Sequence, residues 1–124
     1  MKSVQLVLAS ILLMFAAACG SESPASPTPS PVPPGPSSSV SIPTGASRLT
    51  TTAFSPDVAD IQVGTTMTWT NRDAEAHTTT SDGSGWNSGS VAPGGQFSFT
   101  FQSAGTFSYH CTIHPNMIGT IVVH

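Results

Sequence analysis

The sequence carries little charge. Only 7% of its 124 residues are charged, with three Lys and Arg against six Asp and Glu, whereas a typical soluble protein is ~25% charged. Beyond the first few residues the basic side chains are Arg48 and Arg72 alone. Proteins that bind DNA or RNA need a patch of clustered Lys and Arg. We therefore exclude nucleic acid from the expected partners.

Cysteine is also scarce, since Cys19 and Cys111 are the only two in the chain. In an exported protein, a disulfide between them is the simple alternative. Two observations oppose this pairing: Cys19 ends a pattern typical of export signals, and Cys111 lies within a group of potential metal ligands. The sequence therefore does not favour a fold held by a disulfide.

The start of the chain has a secretory pattern. Lys2 precedes an apolar run over residues 4–15, and small residues occupy positions 16–18, as in a signal peptide. The apolar run is shorter than the ~20 residues of a transmembrane helix. We therefore predict a signal peptide over residues 1–18 and an extracytoplasmic location, in the periplasm or at the cell surface.

Cys19 directly follows these small residues, as the lipidated cysteine of a bacterial lipoprotein does. Lipoproteins usually carry Leu where this chain has Ala16, so ordinary cleavage that leaves a free thiol on Cys19 is the alternative. A lone exposed thiol is a liability in an oxidising compartment. We therefore favour lipidation of Cys19, and with it a membrane anchor.

A Pro/Ser-rich segment follows. Residues 19–39 contain too few apolar side chains to form a core, and such composition predicts a disordered linker. Proline-rich chains extend by ~3.1 Å per residue, so this linker could hold a domain away from a membrane. The alternative is a leader without a role. We expect residues 40–124 to form the single folded domain.

The folded segment has β-like alternation and no helical period. Residues 66–70 alternate polar and apolar side chains, and residues 96–102 place three Phe on one face. Residues 106–111 alternate in the same way and direct Cys111 inward. Short strands separated by Gly and Pro turns predict an all-β sandwich or barrel.

Three residue types that bind soft metal ions occur close together near the end of the chain. Cys111, His114 and Met117 lie within seven residues, and His77 could supply a second imidazole. Two His, one Cys and a weak axial Met are the ligands of a blue-copper electron-transfer site. Taken singly, each residue has an ordinary alternative, as a buried thiol, a loop imidazole or a core filler.

The residues around this motif resemble the cupredoxins of the plastocyanin, pseudoazurin and amicyanin group. The similarity lies in residues 54–77 and in GTFSYHCTIHPNM at residues 105–117, and the short ligand loop is closest to that of amicyanin. The resemblance implies a Greek-key β-sandwich and one copper ion that alternates between Cu(I) and Cu(II). Carried over by position, the ligands are His77, Cys111 and His114, with Met117 axial.

Two positions depart from the family pattern. Thr78 stands where many relatives have Asn, and its hydroxyl could still tie the two ligand segments together. Ile113 stands where amicyanin-like loops often have Pro. We hypothesise that the backbone N–H of Ile113 donates to the Cys111 sulfur, which would raise the reduction potential.

The function implied is that of an electron shuttle, not an enzyme. We expect a monomer that passes single electrons between a redox-protein donor and a redox-protein acceptor in transient complexes. The alternative is copper capture or delivery, although the chain lacks a Met- or His-rich tract. Zinc is disfavoured because structural zinc sites prefer four strong N or S donors. A copper oxidase would need further copper sites, and this sequence has ligands for one.

Overall fold

The computed structural model describes residues 36–124, so the predicted signal peptide and the predicted lipidation of Cys19 fall outside the described residues. A 3-10 helix at Ala46–Arg48 follows the first strand. The strands are β1 (Ser37–Ile42), β2 (Val58–Ile61), β3 (Thr66–Asn71), β4 (Thr80–Ser81), β5 (Gln96–Thr100), β6 (Gly105–His110) and β7 (Ile118–Val123). Within this part of the chain, no helix has the length and apolar character needed to cross a membrane.

The strands form two sheets. The three-stranded sheet has the order β1-β3-β5, and the four-stranded sheet has the order β2-β7-β6-β4. The pairs β1·β3 and β2·β7 are parallel, whereas β3·β5, β4·β6 and β6·β7 are antiparallel. The predicted all-β Greek-key sandwich is confirmed. Strand β1 starts at Ser37, three residues before the predicted start of the domain at residue 40, and it is an edge strand.

The core lies between the two sheets. In β3 the inward residues Met67 and Trp69 are buried, while the intervening threonines are only partly covered. The Trp69 ring lies 5.5 Å from that of Trp86, 5.7 Å from that of Tyr109 and 5.8 Å from that of Phe97. Large aromatic side chains give a small domain most of its buried apolar area. Both tryptophans therefore serve as packing residues.

Two strands carry the ends of the predicted ligand loop. Strand β6 ends immediately before Cys111, and β7 begins immediately after Met117, so the antiparallel β6·β7 pair fixes both ends of the loop. The segment after β3 leads to His77, whose backbone forms two hydrogen bonds with Val91, His77 N to Val91 O at 3.1 Å and Val91 N to His77 O at 2.7 Å. The sandwich thus brings separate segments to one end of the domain.

Gly119 allows a close approach between β7 and a core aromatic ring. It lies opposite Tyr109 in the β6·β7 pair, and a Cβ at position 119 would lie 2.5 Å from Tyr109 Cζ. The buried Tyr109 ring packs 4.7 Å from that of Phe54, so it has little room to move. We expect Gly119→Ala to lower the free energy of unfolding by about 1–3 kcal/mol, measured by chemical denaturation.

Gly83→Ala is the matched control for this prediction. A Cβ at Gly83 would lie 3.9 Å from its nearest neighbour, Ser81 Oγ, which is an ordinary contact distance. We expect this exposed substitution to change the free energy of unfolding by less than about 0.5 kcal/mol. If the two substitutions had equal effects, a clash between the added Cβ and the Tyr109 ring would not be the reason for glycine at position 119.

Candidate metal centre

Side chains from two loops converge at one end of the sandwich. Cys111 and His114 lie on the loop that joins β6 and β7, and His77 lies between β3 and β4. Cys111 and His77 are fully buried, whereas the His114 side chain is 25% exposed. Cys111 is a free thiol, and Cys19 lies outside the described residues.

The donor atoms of these three residues form a compact triangle. The Cys111 Sγ atom lies 3.8 Å from His77 Nδ1 and 3.9 Å from His114 Nδ1, and the two Nδ1 atoms lie 3.2 Å apart. The point equidistant from all three atoms is about 2.1 Å from each, close to the ~2.0–2.3 Å at which nitrogen and sulfur bind a zinc-sized ion. The three side chains therefore fit a first-row metal ion.

Met117, the predicted axial ligand, is fully buried. It follows His114 by three residues in the chain. Cys111 N–H donates to Met117 O at 3.1 Å, and Met117 N–H donates to His114 O at 2.9 Å. These hydrogen bonds join the two ends of the loop and hold the backbone of Met117 next to that of Cys111. The role of its thioether as an axial ligand stays a prediction.

The Cys111 sulfur accepts a hydrogen bond from a backbone N–H group. The donor is Thr78, at 3.2 Å, and the Thr78 hydroxyl in turn accepts from Thr112 N–H at 2.8 Å. The predicted tie between the two ligand segments is therefore present. The hypothesis for Ile113 is wrong: in the described part of the chain, no backbone N–H other than that of Thr78 donates to this sulfur. Ile113 lies on the outer side of the turn and is 49% exposed.

Asp73 is a buried residue of the site that the sequence reasoning missed. Its Oδ2 lies 2.9 Å from His77 Nε2, and its Oδ1 accepts from Gly45 N–H at 2.9 Å and Ala74 N–H at 2.8 Å. The pKa of Asp73 is lowered to about 2, mainly because its carboxylate accepts the hydrogen bond from Gly45 N–H. Burial acts in the opposite direction, and the contacts with His77 and Ala74 N–H lower the pKa further. A carboxylate on Nε2 directs Nδ1 toward the sulfur and fixes the imidazole orientation.

Asn71 holds the loop that carries Asp73. Its side chain is fully buried; Nδ2 donates to Glu75 O at 2.7 Å and to Val91 O at 2.9 Å. Its Oδ1 accepts from Asp73 N–H at 2.9 Å. For the role of Asp73, the only hint in the sequence was its position four residues before His77. In a loop, such spacing does not by itself predict a contact.

The remaining two histidines lie outside the triangle. His110 points to the other face of β6, as the alternation predicts, and pairs with Asp82. His124 pairs with Asp60 at 2.8 Å. Both side chains are partly exposed to solvent, and neither contributes to the metal-binding group.

Comparisons with known proteins agree with this geometry. A family model described as a cupredoxin-like domain matches residues 9–123. Amicyanin from Paracoccus denitrificans is 41% identical over 68 residues, which cover 51% of this chain and 52% of that protein. The match thus spans about half the length of this relative.

Solved structures show the same similarity. A purple cupredoxin from Nitrosopumilus maritimus has a TM-score of 0.65 and 34% identity, covering 70% of this chain and 99% of that chain. A variant of amicyanin in its Cu(I) form has a TM-score of 0.60 and 28% identity, covering 69% of this chain and 80% of that chain.

Proposed function

Because the chain belongs to the family of cupredoxin-like domains, we propose that it carries single electrons on one copper ion held by His77, Cys111, His114 and Met117. The observation that supports this most directly is the triangle of two Nδ1 atoms and one Sγ atom, 3.2 to 3.9 Å apart. Thiolate, imidazole and thioether together are the donor set of an electron-transfer copper site.

The bound ion would supply one-electron redox chemistry, and the chain supplies a fixed set of donors. Asp73 orients His77, Thr78 N–H donates to Cys111 Sγ, and Thr112 N–H ties the ligand loop to Thr78. None of these supporting groups is itself a ligand, so they hold the ligands in the same positions in both oxidation states of the ion. Little rearrangement then accompanies electron gain or loss.

His114 is the proposed route for electrons to and from a partner. Its Nδ1 faces Cys111 and His77, and its imidazole is the exposed member of the triangle. Ile113 and Pro115 on either side are exposed apolar residues. A small apolar surface of this kind suits the weak, transient complexes of redox proteins. The proposed partners are a redox-protein donor and acceptor, and the carrier itself is proposed to act as a monomer.

The proposed site of action is extracytoplasmic. It is supported by the signal-peptide pattern of residues 1–18 and by the small residues before Cys19. Lipidation of Cys19 would attach the protein to a membrane, and the Pro/Ser-rich residues 19–39 would act as the tether. Mass spectrometry of the exported protein, which detects the added mass of a lipid on Cys19, tests this part of the proposal.

A visible absorption spectrum tests the proposed function. We expect the full chain, loaded with Cu(II), to show an intense band that disappears on reduction and returns on oxidation. Because one structural relative is a purple cupredoxin, the test is the intensity and reversibility of the band and not its colour. Copper that binds without an intense band, or a band that does not return, would contradict electron carriage and support copper capture or delivery.

A further inference from the structure

A carboxylate lies beside the exposed edge of His114. The distance from Glu75 Oε2 to His114 Nε2 is 3.8 Å, and the Glu75 side chain is 57% exposed. Because His114 Nδ1 faces Cys111 and His77, Nε2 is the nitrogen on the outer side of the ring. Glu75 therefore places a negative charge at the surface through which electrons are proposed to pass.

The backbone of Glu75 is held in place by a buried side chain. Its carbonyl oxygen accepts from Asn71 Nδ2 at 2.7 Å, and Asn71 is fully buried. The same Asn71 side chain also holds Val91 O and Asp73 N–H. The carboxylate of Glu75 is therefore carried by a loop that is hydrogen-bonded to a buried side chain.

Apart from the 3.8 Å contact with His114, the Glu75 carboxylate has no charged partner among the described residues, which leaves it available to a partner protein. Asp73 is buried, and its oxygens are taken by Gly45, Ala74 and His77. Arg48 lines the same surface groove as Glu75. All ion pairs in the described part of the chain nevertheless involve a histidine, so Arg48 does not pair with Glu75.

We propose that Glu75 selects the redox partner by charge, so that electrons pass through His114 to or from a protein that places a cationic group against Glu75. This inference rests on the proposed function. Charge complementarity at an exposed rim raises the rate of encounter with the right partner and lowers it for the wrong one. The step itself moves one electron between the two proteins and transfers no proton or ligand.

Two small oxidants of opposite charge test this inference without knowledge of the partner. The cation tris(phenanthroline)cobalt(III) and the anion hexacyanoferrate(III) each take one electron from the reduced, copper-loaded protein, giving Co(II) and Fe(II). At low ionic strength, we expect Glu75→Gln to lower the rate with the cation about threefold and raise the rate with the anion about threefold. The ratio of the two rates then changes about tenfold.

The ratio separates local charge from other effects of the substitution. A change in the protein's reduction potential alters the driving force for both oxidants in the same direction, so it does not produce opposite changes in the two rates. High salt screens charges at the surface. The difference between wild type and Glu75→Gln should therefore fade at about 1 M salt, where the Debye length is ~3 Å.

Asp60→Asn is the matched control, because it makes the same change in net charge on another part of the surface. Asp60 is 70% exposed and pairs with His124, and we expect its removal to change the ratio by less than about twofold. An unchanged ratio in Glu75→Gln, or an equal change in Asp60→Asn, would overturn the role of Glu75 while leaving electron carriage standing. Wild-type protein that neither complex oxidises would overturn both proposals.

Discussion

Cys111→Ser is expected to abolish the intense visible band of the copper-loaded protein completely. Cys111 supplies the only thiolate of the triangle, and its sulfur lies within 3.9 Å of both imidazole nitrogens. A Ser hydroxyl is neutral at neutral pH and is a hard, weak donor, whereas copper in such sites depends on the soft sulfur. The measurement is the absorption spectrum after Cu(II) loading, with copper content determined on the same sample.

Cys19→Ser is the internal control, since Cys19 is the only other cysteine of the chain. We expect this variant to keep the full intensity of the band. Loss of the band in both variants would point to a site that needs both thiols, which contradicts the free, buried Cys111 of the structure. A band of wild-type intensity in Cys111→Ser would exclude Cys111 as a copper ligand. Circular dichroism of the variant verifies that the β-sandwich has formed.

The parts of the fold with strong alternation could be predicted from the sequence. Strand β3 buries every second residue as the pattern indicates, and Trp69 faces the core. In β6, Tyr109 is buried, Phe107 is partly buried, and His110 faces outward. The ligand loop could be predicted because its residues are close in sequence, and short loops bring such residues together. The resemblance to the family pattern predicts His77 as a ligand, and the structure brings its Nδ1 to 3.8 Å from the Cys111 sulfur.

Features that depend on contacts between distant segments could not be predicted. Strand β1 starts in serines that resemble the linker, and it becomes a strand only because β3 lies beside it in parallel register, with Ser37 opposite Thr66. Asp73 acquires its role from Gly45, 28 residues away, which no local pattern reveals. The donor to the Cys111 sulfur is Thr78 and not Ile113 because a second segment of the chain packs against the loop.

Asp73→Asn is expected to weaken copper binding by about 10- to 100-fold, the usual effect of removing a group that orients a metal ligand. The amide of Asn keeps one oxygen, which can still accept from Gly45 and Ala74 N–H. Its NH2 group then faces His77 Nε2–H, so two donors oppose each other and the bond to the imidazole is lost. The imidazole becomes a weaker electron donor to the metal, and a nearby negative charge is removed. Both changes favour Cu(I), so the reduction potential should rise.

Competition with a chelator for Cu(II) and voltammetry measure the two effects of Asp73→Asn, and Asp82→Asn is the matched control. Asp82 also pairs with a histidine, His110, but this pair lies outside the triangle and Asp82 is 53% exposed. We expect the control to change copper affinity by less than about twofold, as is usual for an exposed pair. Unfolding of the metal-free variants separates the two roles that Asp73 could have. If affinity falls while the free energy of unfolding is kept, Asp73 acts by orienting His77; if the reduction potential falls, the argument from the lost charge is wrong.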